Sequence, residues 1–367
     1  MLNMSDKSNI DSIPSNSPVS SIPSDYYPPG CAFWYELTEG MDAGKKIFYR
    51  NSNHGTGDPE STIVFVHGNP ESSYTYREVI KYLINSAKKP FRLVAMDHIG
   101  FGLSDQATYE MICQDHATNL LQLIKHLDLN KVTLIIHDWG GPIGIGAFLK
   151  VPDRVKNLVI LNSTVFPMPK TGLRYDKNYP VKGFVWSKFP KIIPNDFWGA
   201  FASFAIFYNP DDPQELVENI PNMLALAREG DGAIVENETI PQKFFREQFS
   251  SEKNVMSSKR LVLQTPVWGH GNVYKEPKLG ERDTAPFYRF IQDNISKYWG
   301  PDGQNIGVRA VLGKWDPSAK DEVIQQWIEN LPQLEGHVKE FEKAGHFIEE
   351  IEPEAIANAI IDVAGLK

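Results

Sequence analysis

Cysteine is nearly absent: Cys31 and Cys113 are the two in 367 residues. That is too few for a disulfide framework, and both read as packing residues. Long apolar runs are missing as well. None approaches the ~20 residues needed to cross a bilayer, so no membrane span is expected. An excess of positive charge is also lacking. Thirty-seven Lys and Arg stand against 46 Asp and Glu, a formal charge of −9, which argues against nucleic acid or an anionic membrane as partner. Residues 1–30 have no apolar stretch of leader type and no arginine, and they carry Asp6, Asp11 and Asp25. Neither export nor organelle import is indicated, and the expected location is the cytoplasm. Triplets such as Asn237-Glu238-Thr239 would matter only in a secreted chain.

What is present describes a globular protein with ample core, 41% hydrophobic and 23% charged. Residues 1–30 are the exception. Eight Ser and five Pro with little apolar clustering predict a disordered tail, because such a segment buries too little surface to offset chain entropy. From Phe33 the punctuation becomes regular. Lys46–Arg50 reads as an edge strand, Thr62–Val66 as a buried strand and Ser73–Ala87 as a helix. A buried strand (Arg92–Met96), a helix (Met111–Leu127), a strand (Val132–Ile136), a helix to Lys150 and a strand (Leu158–Leu161) follow.

Continuous apolar strands alternating with helices predict an α/β fold with a mostly parallel sheet covered on both faces. The rhythm breaks after Pro167 and resumes at Val308–Gly313, with a helix at Asp321–Leu331, a strand at Val338–Phe341 and a helix at Pro353–Ala364. Between them lie helix-like pieces at Asp196–Ala205, Pro213–Arg228 and Ala285–Tyr298. The simplest organisation is a core of residues 31–167 and 306–367, interrupted after the sixth strand by a helical cap of residues 168–305.

Ligands in such sheets sit beyond the carboxyl ends of the strands, and the chemistry-bearing residues fall there. Leu134-Ile135-Ile136-His137-Asp138-Trp139-Gly140-Gly141-Pro142 has the grammar of a nucleophile elbow, with aspartate in the reactive place. The glycines suit a helix start that runs close to neighbouring backbone. A carboxylate there attacks carbon and leaves an ester that water must open; the plain alternative is a helix N-cap. Trp315-Asp316-Pro317 ends the strand from Val308, and Gly345-His346-Phe347 follows the last strand. Asp138, Asp316 and His346 stand in the chain order of nucleophile, acid and base.

Four segments together resemble the haloalkane dehalogenases of the α/β-hydrolase superfamily, over roughly residues 33–167 and 306–367. They are His67-Gly68-Asn69-Pro70-Glu71-Ser72-Ser73-Tyr74, Asp97-His98-Ile99-Gly100-Phe101-Gly102-Leu103-Ser104-Asp105, His137-Asp138-Trp139-Gly140-Gly141 and Gly345-His346-Phe347. The resemblance implies an α/β-hydrolase fold and a small apolar halogenated substrate that yields alcohol, halide ion and a proton, without metal or organic cofactor. It implies displacement by Asp138, water activation by His346 and orientation of His346 by Asp316. The Asn69 amide and the Trp139 indole would hold the halide, and their backbone N–H groups would form the oxyanion hole. Asn162, after the sixth strand, stands where some relatives carry a glutamate and cannot serve as the anionic acid. Trp186 or Trp198 would replace Asn69 at the halide if Asn69 did not reach it. The expected cap is larger than is usual in that family.

Two other readings fit the same chain. An epoxide hydrolase would use the same aspartate with two cap tyrosines, for which Tyr175, Tyr179, Tyr208, Tyr274, Tyr288 and Tyr298 are available. A non-catalytic ligand-binding relative, or a luciferase-like oxygenase on the same scaffold, would keep the fold without this turnover.

Overall fold

The computed structural model describes residues 13–26, 28, 30–169, 186–209, 215, 218–219, 221 and 238–367. Its centre is an eight-stranded sheet in the order β1-β2-β4-β3-β5-β6-β9-β10. The strands are β1 (Ala32–Glu36), β2 (Lys46–His54), β3 (Ser61–Val66), β4 (Phe91–Met96), β5 (Val132–His137), β6 (Val155–Leu161), β9 (Gly307–Gly313) and β10 (Val338–Phe341), while β7 (Val273–Glu276) and β8 (Gly280–Asp283) form a separate hairpin. β1 and β2 are antiparallel to their neighbours, and the other pairings in the large sheet are parallel.

Every residue of β3 and β5 is buried, as apolar strands covered on both faces should be. Alternation then divides the core. Val64, Val66, Leu134 and Ile136 face one layer, and Ile63, Phe65 and Ile135 face the other. The first layer holds α2 (Cys113–His126) against α3 (Gly140–Phe148). The second holds α1 (Arg77–Ser86) against α8 (Pro353–Val363).

Three expectations need correction. Lys46–Arg50 is no edge strand, because β1 pairs outside β2 and takes the edge. The helix α7 (Ala285–Trp299) belongs to the core layer rather than the cap. Its Tyr288, Ile291, Ile295 and Trp299 are buried, the helix packs on α3, and the Trp299 indole donates to the Pro152 carbonyl. The hairpin before it is tied to α2 by an Arg282–Asp115 pair. Helical spacing reveals an apolar face but not what that face covers, so the cap ends near residue 270 rather than 305.

The third correction concerns the tail. Residues 13–26 form a strap across core and cap. Ser15 and Ser17 hydroxyls donate to the Leu103 and Gly102 carbonyls, and the Ser20 and Ser21 amides donate to Glu247. Val19 and Tyr26 are buried with Trp34, Phe48 and Phe244. Its composition is poor in apolar groups, yet its hydroxyls and two apolar side chains find partners on an already folded surface.

The cap contributes α4 (Trp198–Phe207), α5 (Ile240–Glu247) and α6 (Glu252–Leu263). The expected Pro213–Arg228 helix lies largely outside the described residues, as do Tyr175 and Tyr179. No described helix is long and apolar enough to cross a membrane.

Candidate active site

β5 ends at His137, and the chain turns sharply into α3. Asp138 sits at φ 48° in the left-handed region, a conformation that a non-glycine residue adopts only when its surroundings impose it. The tightness explains the two glycines. A Cβ on Gly140 would lie 2.2 Å from the Val66 carbonyl oxygen, and one on Gly141 would lie 2.0 Å from Ser163 Oγ. Ser163 in turn donates to the Asp138 carbonyl at 2.6 Å. The Asp138 carboxylate does not act as a helix cap. Its Oδ2 accepts from the Asn69 backbone N–H at 2.9 Å, and its Oδ1 lies 3.5 Å from His346 Nε2.

His346 arrives on the loop after β10. Its Nδ1 faces Asp316 Oδ2 at 2.5 Å, and Asp316 Oδ1 accepts from the Ser318 amide at 2.7 Å. Burial alone would lower the proton affinity of His346, but Asp316 and then Asp138 outweigh it and hold the imidazole well above its ordinary range. Burial would raise Asp316; the facing imidazole and the Ser318 donors hold it below the usual carboxylate range instead. Asp316 is thus kept anionic where it can orient His346 and stabilise its charge.

Asn162 follows β6 at φ 32°. It accepts from the Gly313 amide at 2.9 Å and donates to the Gly345 and His346 carbonyls at 2.8 and 2.9 Å. It therefore clamps the end of β9 to the histidine loop. The His346 carbonyl also accepts from His137 Nε2 at 2.8 Å, which leaves His137 Nδ1 facing Glu71 Oε1 at 2.5 Å and Glu349 at 3.4 Å. All three side chains are fully buried. Burial, and next the charge of Asp138, push Glu71 well above the carboxylate range; burial pushes Glu349 up to about 8 and His137 down. A proton shared between Glu71 and His137 satisfies both atoms.

Donor atoms of Glu71, His137 and His346 all lie within 4.8 Å of one another, the arrangement here that comes nearest to a metal site. It fits poorly. Ligand atoms on one zinc stand about 3.3 Å apart, given ~2.0 Å bonds at tetrahedral angles, whereas Glu71 and His137 are at proton-sharing distance. The His346 nitrogens already face Asp316 and Asp138.

In front of Asp138 lies a largely apolar cavity, the usual character of a small-molecule site. Asn69, Trp139, Trp186, Trp198, Phe201 and Trp268 line it, and Asp138, Asp316 and His346 are its only titratable lining residues among those described. The Trp139 indole N–H has no protein partner among the described residues, and its ring stacks on Trp268 at 4.1 Å between centroids. The Trp198 N–H is already committed to Ser258 Oγ at 2.9 Å, so it is no substitute for Asn69. Trp186 also lines the cavity, 5.8 Å from the His346 ring. All five residues expected at the site, Asn69, Asp138, Trp139, Asp316 and His346, meet at this cavity.

No tyrosine is among the described lining residues. The Tyr274 hydroxyl donates to the Glu110 carbonyl, Tyr288 is buried against α2, and Tyr208 accepts from Asn219. The donors required by epoxide opening are therefore not at the cavity among the described residues. Sequence reasoning missed Trp268, Ser258 and the Glu71–His137–Glu349 cluster. Glu71 within an otherwise small and polar loop, and His137 at the end of an apolar strand, were the visible signals.

A family profile described as alpha/beta hydrolase fold matches residues 61–188. A cis-3-alkyl-4-alkyloxetan-2-one decarboxylase from Shewanella oneidensis is 27% identical over 83% of this chain and 80% of its own length. Haloalkane dehalogenase 2 from Mycobacterium tuberculosis is 33% identical over 36% of this chain, and that match spans 42% of the dehalogenase. Among solved structures, a tetrameric haloalkane dehalogenase from Paraglaciecola agarilytica superposes with a TM-score of 0.65 at 20% identity, covering 94% of this chain and 96% of the other.

Proposed function

We propose, on the premise that this chain is a haloalkane dehalogenase-like protein of the α/β-hydrolase fold, that it hydrolyses carbon–halogen bonds through an ester on Asp138. The observation that carries this reading is the pair of N–H donors, the Asn69 amide and the Trp139 indole, in an otherwise apolar cavity beside the Asp138 carboxylate. A departing halide is a weakly hydrated anion that needs N–H donors where water is excluded.

In the first step an Asp138 oxygen bonds the sp³ carbon as the carbon–halogen bond breaks, and the halide leaves with the bonding pair. Esterification removes the negative charge of Asp138, one of the two charges that hold the His346 proton affinity high. The hold of the imidazole on its proton weakens accordingly at the step that needs a base, and in its neutral form it can act as one. His346 Nε2 takes a proton from water, and the hydroxide adds to the ester carbonyl. The resulting oxyanion is met by the Asn69 N–H, already 2.9 Å from Asp138 Oδ2, and by the Trp139 N–H at the start of α3. Collapse expels the alcohol, which takes its proton from His346, and leaves Asp138 as the carboxylic acid; loss of that proton to solvent restores the carboxylate.

A second reading is supported by the Shewanella relative, whose similarity extends over most of the chain. An oxetan-2-one is a strained lactone. Attack by Asp138 on its ring carbon would break the ring C–O bond and leave a carboxylate. Loss of CO2 with departure of Asp138 would then give an alkene and consume no water.

The test is a panel of 1-bromobutane, 1-iodohexane and a cis-3,4-dialkyloxetan-2-one, run with wild type and Asp138→Ala. Halide release by wild type alone is the expected result. Alkene and CO2 from the lactone with no halide from either alkyl halide would replace dehalogenation by the second reading.

A further inference from the structure

Asn69 can present either end of its amide to the cavity, and the two ends differ in sign. Nδ2–H attracts an anion, whereas Oδ1 repels one. Three residues decide the matter. An indole nitrogen is a donor only, so the Trp198 N–H that meets Ser258 Oγ at 2.9 Å makes the hydroxyl oxygen an acceptor. The Ser258 proton is left to point elsewhere, and the next atom within reach, at 2.6 Å, belongs to the Asn69 amide. Only an oxygen can accept it. Nδ2 is then held at the other end, 3.3 Å from the Ser258 carbonyl, with its second hydrogen uncommitted among the described residues.

We infer that Ser258 is a positioning residue that commits Asn69 to act as an N–H donor toward a leaving anion, and that the anion site is complete only when the cap is seated. Ser258 lies on α6 and Trp198 on α4, both cap helices, whereas Asn69 belongs to the core loop after β3. Ser258 is fully buried and does not line the cavity; it acts through Asn69. The cap grips the same loop a second time, where Gln248 Nε2 donates to the Pro70 carbonyl at 2.8 Å. Trp198 is itself braced. Lys259 Nζ sits 5.2 Å from its ring centroid and is anchored on the Ile193 carbonyl and Asn195 Oδ1.

The inference rests on the halide reading, so its test is kept separate from turnover. Saturable quenching of tryptophan fluorescence by sodium bromide reports anion binding directly. Ser258→Ala should weaken bromide binding about tenfold, the scale of one hydrogen bond to a charged group. Ser258→Thr, which keeps the hydroxyl, should restore it, and Trp198→Phe, which frees the hydroxyl to rotate, should cause a smaller loss. Thermal melts check that each variant is folded. Folded Ser258→Ala protein that binds bromide within about twofold of wild type would overturn the inference, a difference below the size of one such bond. Should Ser258→Ala not fold, bromide binding by Trp198→Phe equal to wild type would overturn it instead. Absence of any saturable bromide site in wild type would also do so. Wild type that binds bromide yet releases no halide from any alkyl bromide would count against the dehalogenase reading alone.

Discussion

Behind Asp138 the core is crowded with polar groups that bond one another. In front of it, the cap walls a cavity with rings and alkyl groups. His137, Glu71 and Glu349 lie on the first side, all buried, and Asn162 joins them where that side meets the cavity wall. Trp139, Trp186, Trp198, Phe201 and Trp268 lie on the second. The difference separates two tasks. The polar side fixes where the imidazole and carboxylates stand and which of them are charged. The apolar side offers few donors, so under the dehalogenase reading a leaving anion would depend on the Asn69 amide and the Trp139 indole. Side chains on the first side should therefore govern whether the reaction turns over, and those on the second should govern what binds.

The largest break in that comparison should come from His346→Gln. Under the dehalogenase reading this variant still forms the ester but cannot open it, so one equivalent of halide is released per protein. Intact-mass spectrometry should then find the alkyl group of 1-bromobutane on the chain, mapped to Asp138. Under the decarboxylase reading no water is needed, so the variant should continue to turn over the lactone. Unmodified protein with unimpaired halide turnover would remove His346 from the role of base.

The expected residues that meet at the cavity were legible because each follows a strand. Asp138, Asn69 and Asp316 follow apolar runs, and His346 follows the short strand Val338–Phe341; a parallel sheet brings all such ends to one edge. What was illegible depends on surfaces that only the fold creates. Ser258 sits in the run Ser257-Ser258-Lys259-Arg260, which reads as a solvated helix face, yet Ser257 and Ser258 are fully buried against core loops. The face of α7 looked the same whether it covered cap or core. The serine-rich strap lacks an apolar signal of its own, because its hydroxyls bond carbonyls nearly ninety positions away. Asn162 was read by what it cannot do; its use as a clamp needs three backbone partners brought from β9 and the histidine loop.

A weaker perturbation probes the polar side further out. His67, His98 and His116 form a buried stack, with ring centroids 4.3 and 5.0 Å apart. The His98 amide donates to His67 Nε2, which leaves His67 Nδ1–H to donate to the Gly68 carbonyl and fixes the loop that carries Asn69. Among the described residues both nitrogens of His116 lack partners. Burial, then the neighbouring His98, holds His116 well below its ordinary range. A depressed folded-state value contributes nothing adverse above the unfolded value near 6.5, and it erodes stability as the pH falls below it, because only the unfolded chain takes up the proton. His116→Phe should remove that term. Measured by urea unfolding, the stability of the variant relative to wild type should rise between pH 7.5 and pH 5 by about 2 kcal/mol, at about 1.36 kcal/mol per pH unit below 6.5. A pH-independent difference would mean that His116 takes up its proton as readily in the fold as in the unfolded chain.

The smallest effect is expected on the apolar side, at Trp268. Its ring lies on Trp139 with an interplanar angle of 16°, and its indole N–H donates to the Thr164 carbonyl at 2.6 Å. It makes no hydrogen bond to Asp138, Asp316 or His346 among the described residues; it stacks on the ring of Trp139, which lines the cavity. Trp268→Phe keeps an aromatic face but loses the anchoring hydrogen bond and some stacked area. Since Thr164 lines the cavity, water can take the place of the lost donor. Bromide binding should weaken by an amount near the ~0.5–1.5 kcal/mol of an aromatic pair, while the rate of ester opening, followed as single-turnover alcohol release, stays unchanged. The second half of that expectation is the sharper one. Trp268 stands on the binding side of Asp138, and slowed ester opening would mean that the stacked rings also set the position of the Trp139 backbone N–H. The two sides of the carboxylate would then share a residue, and the division of tasks between them would fail at the point where α3 begins.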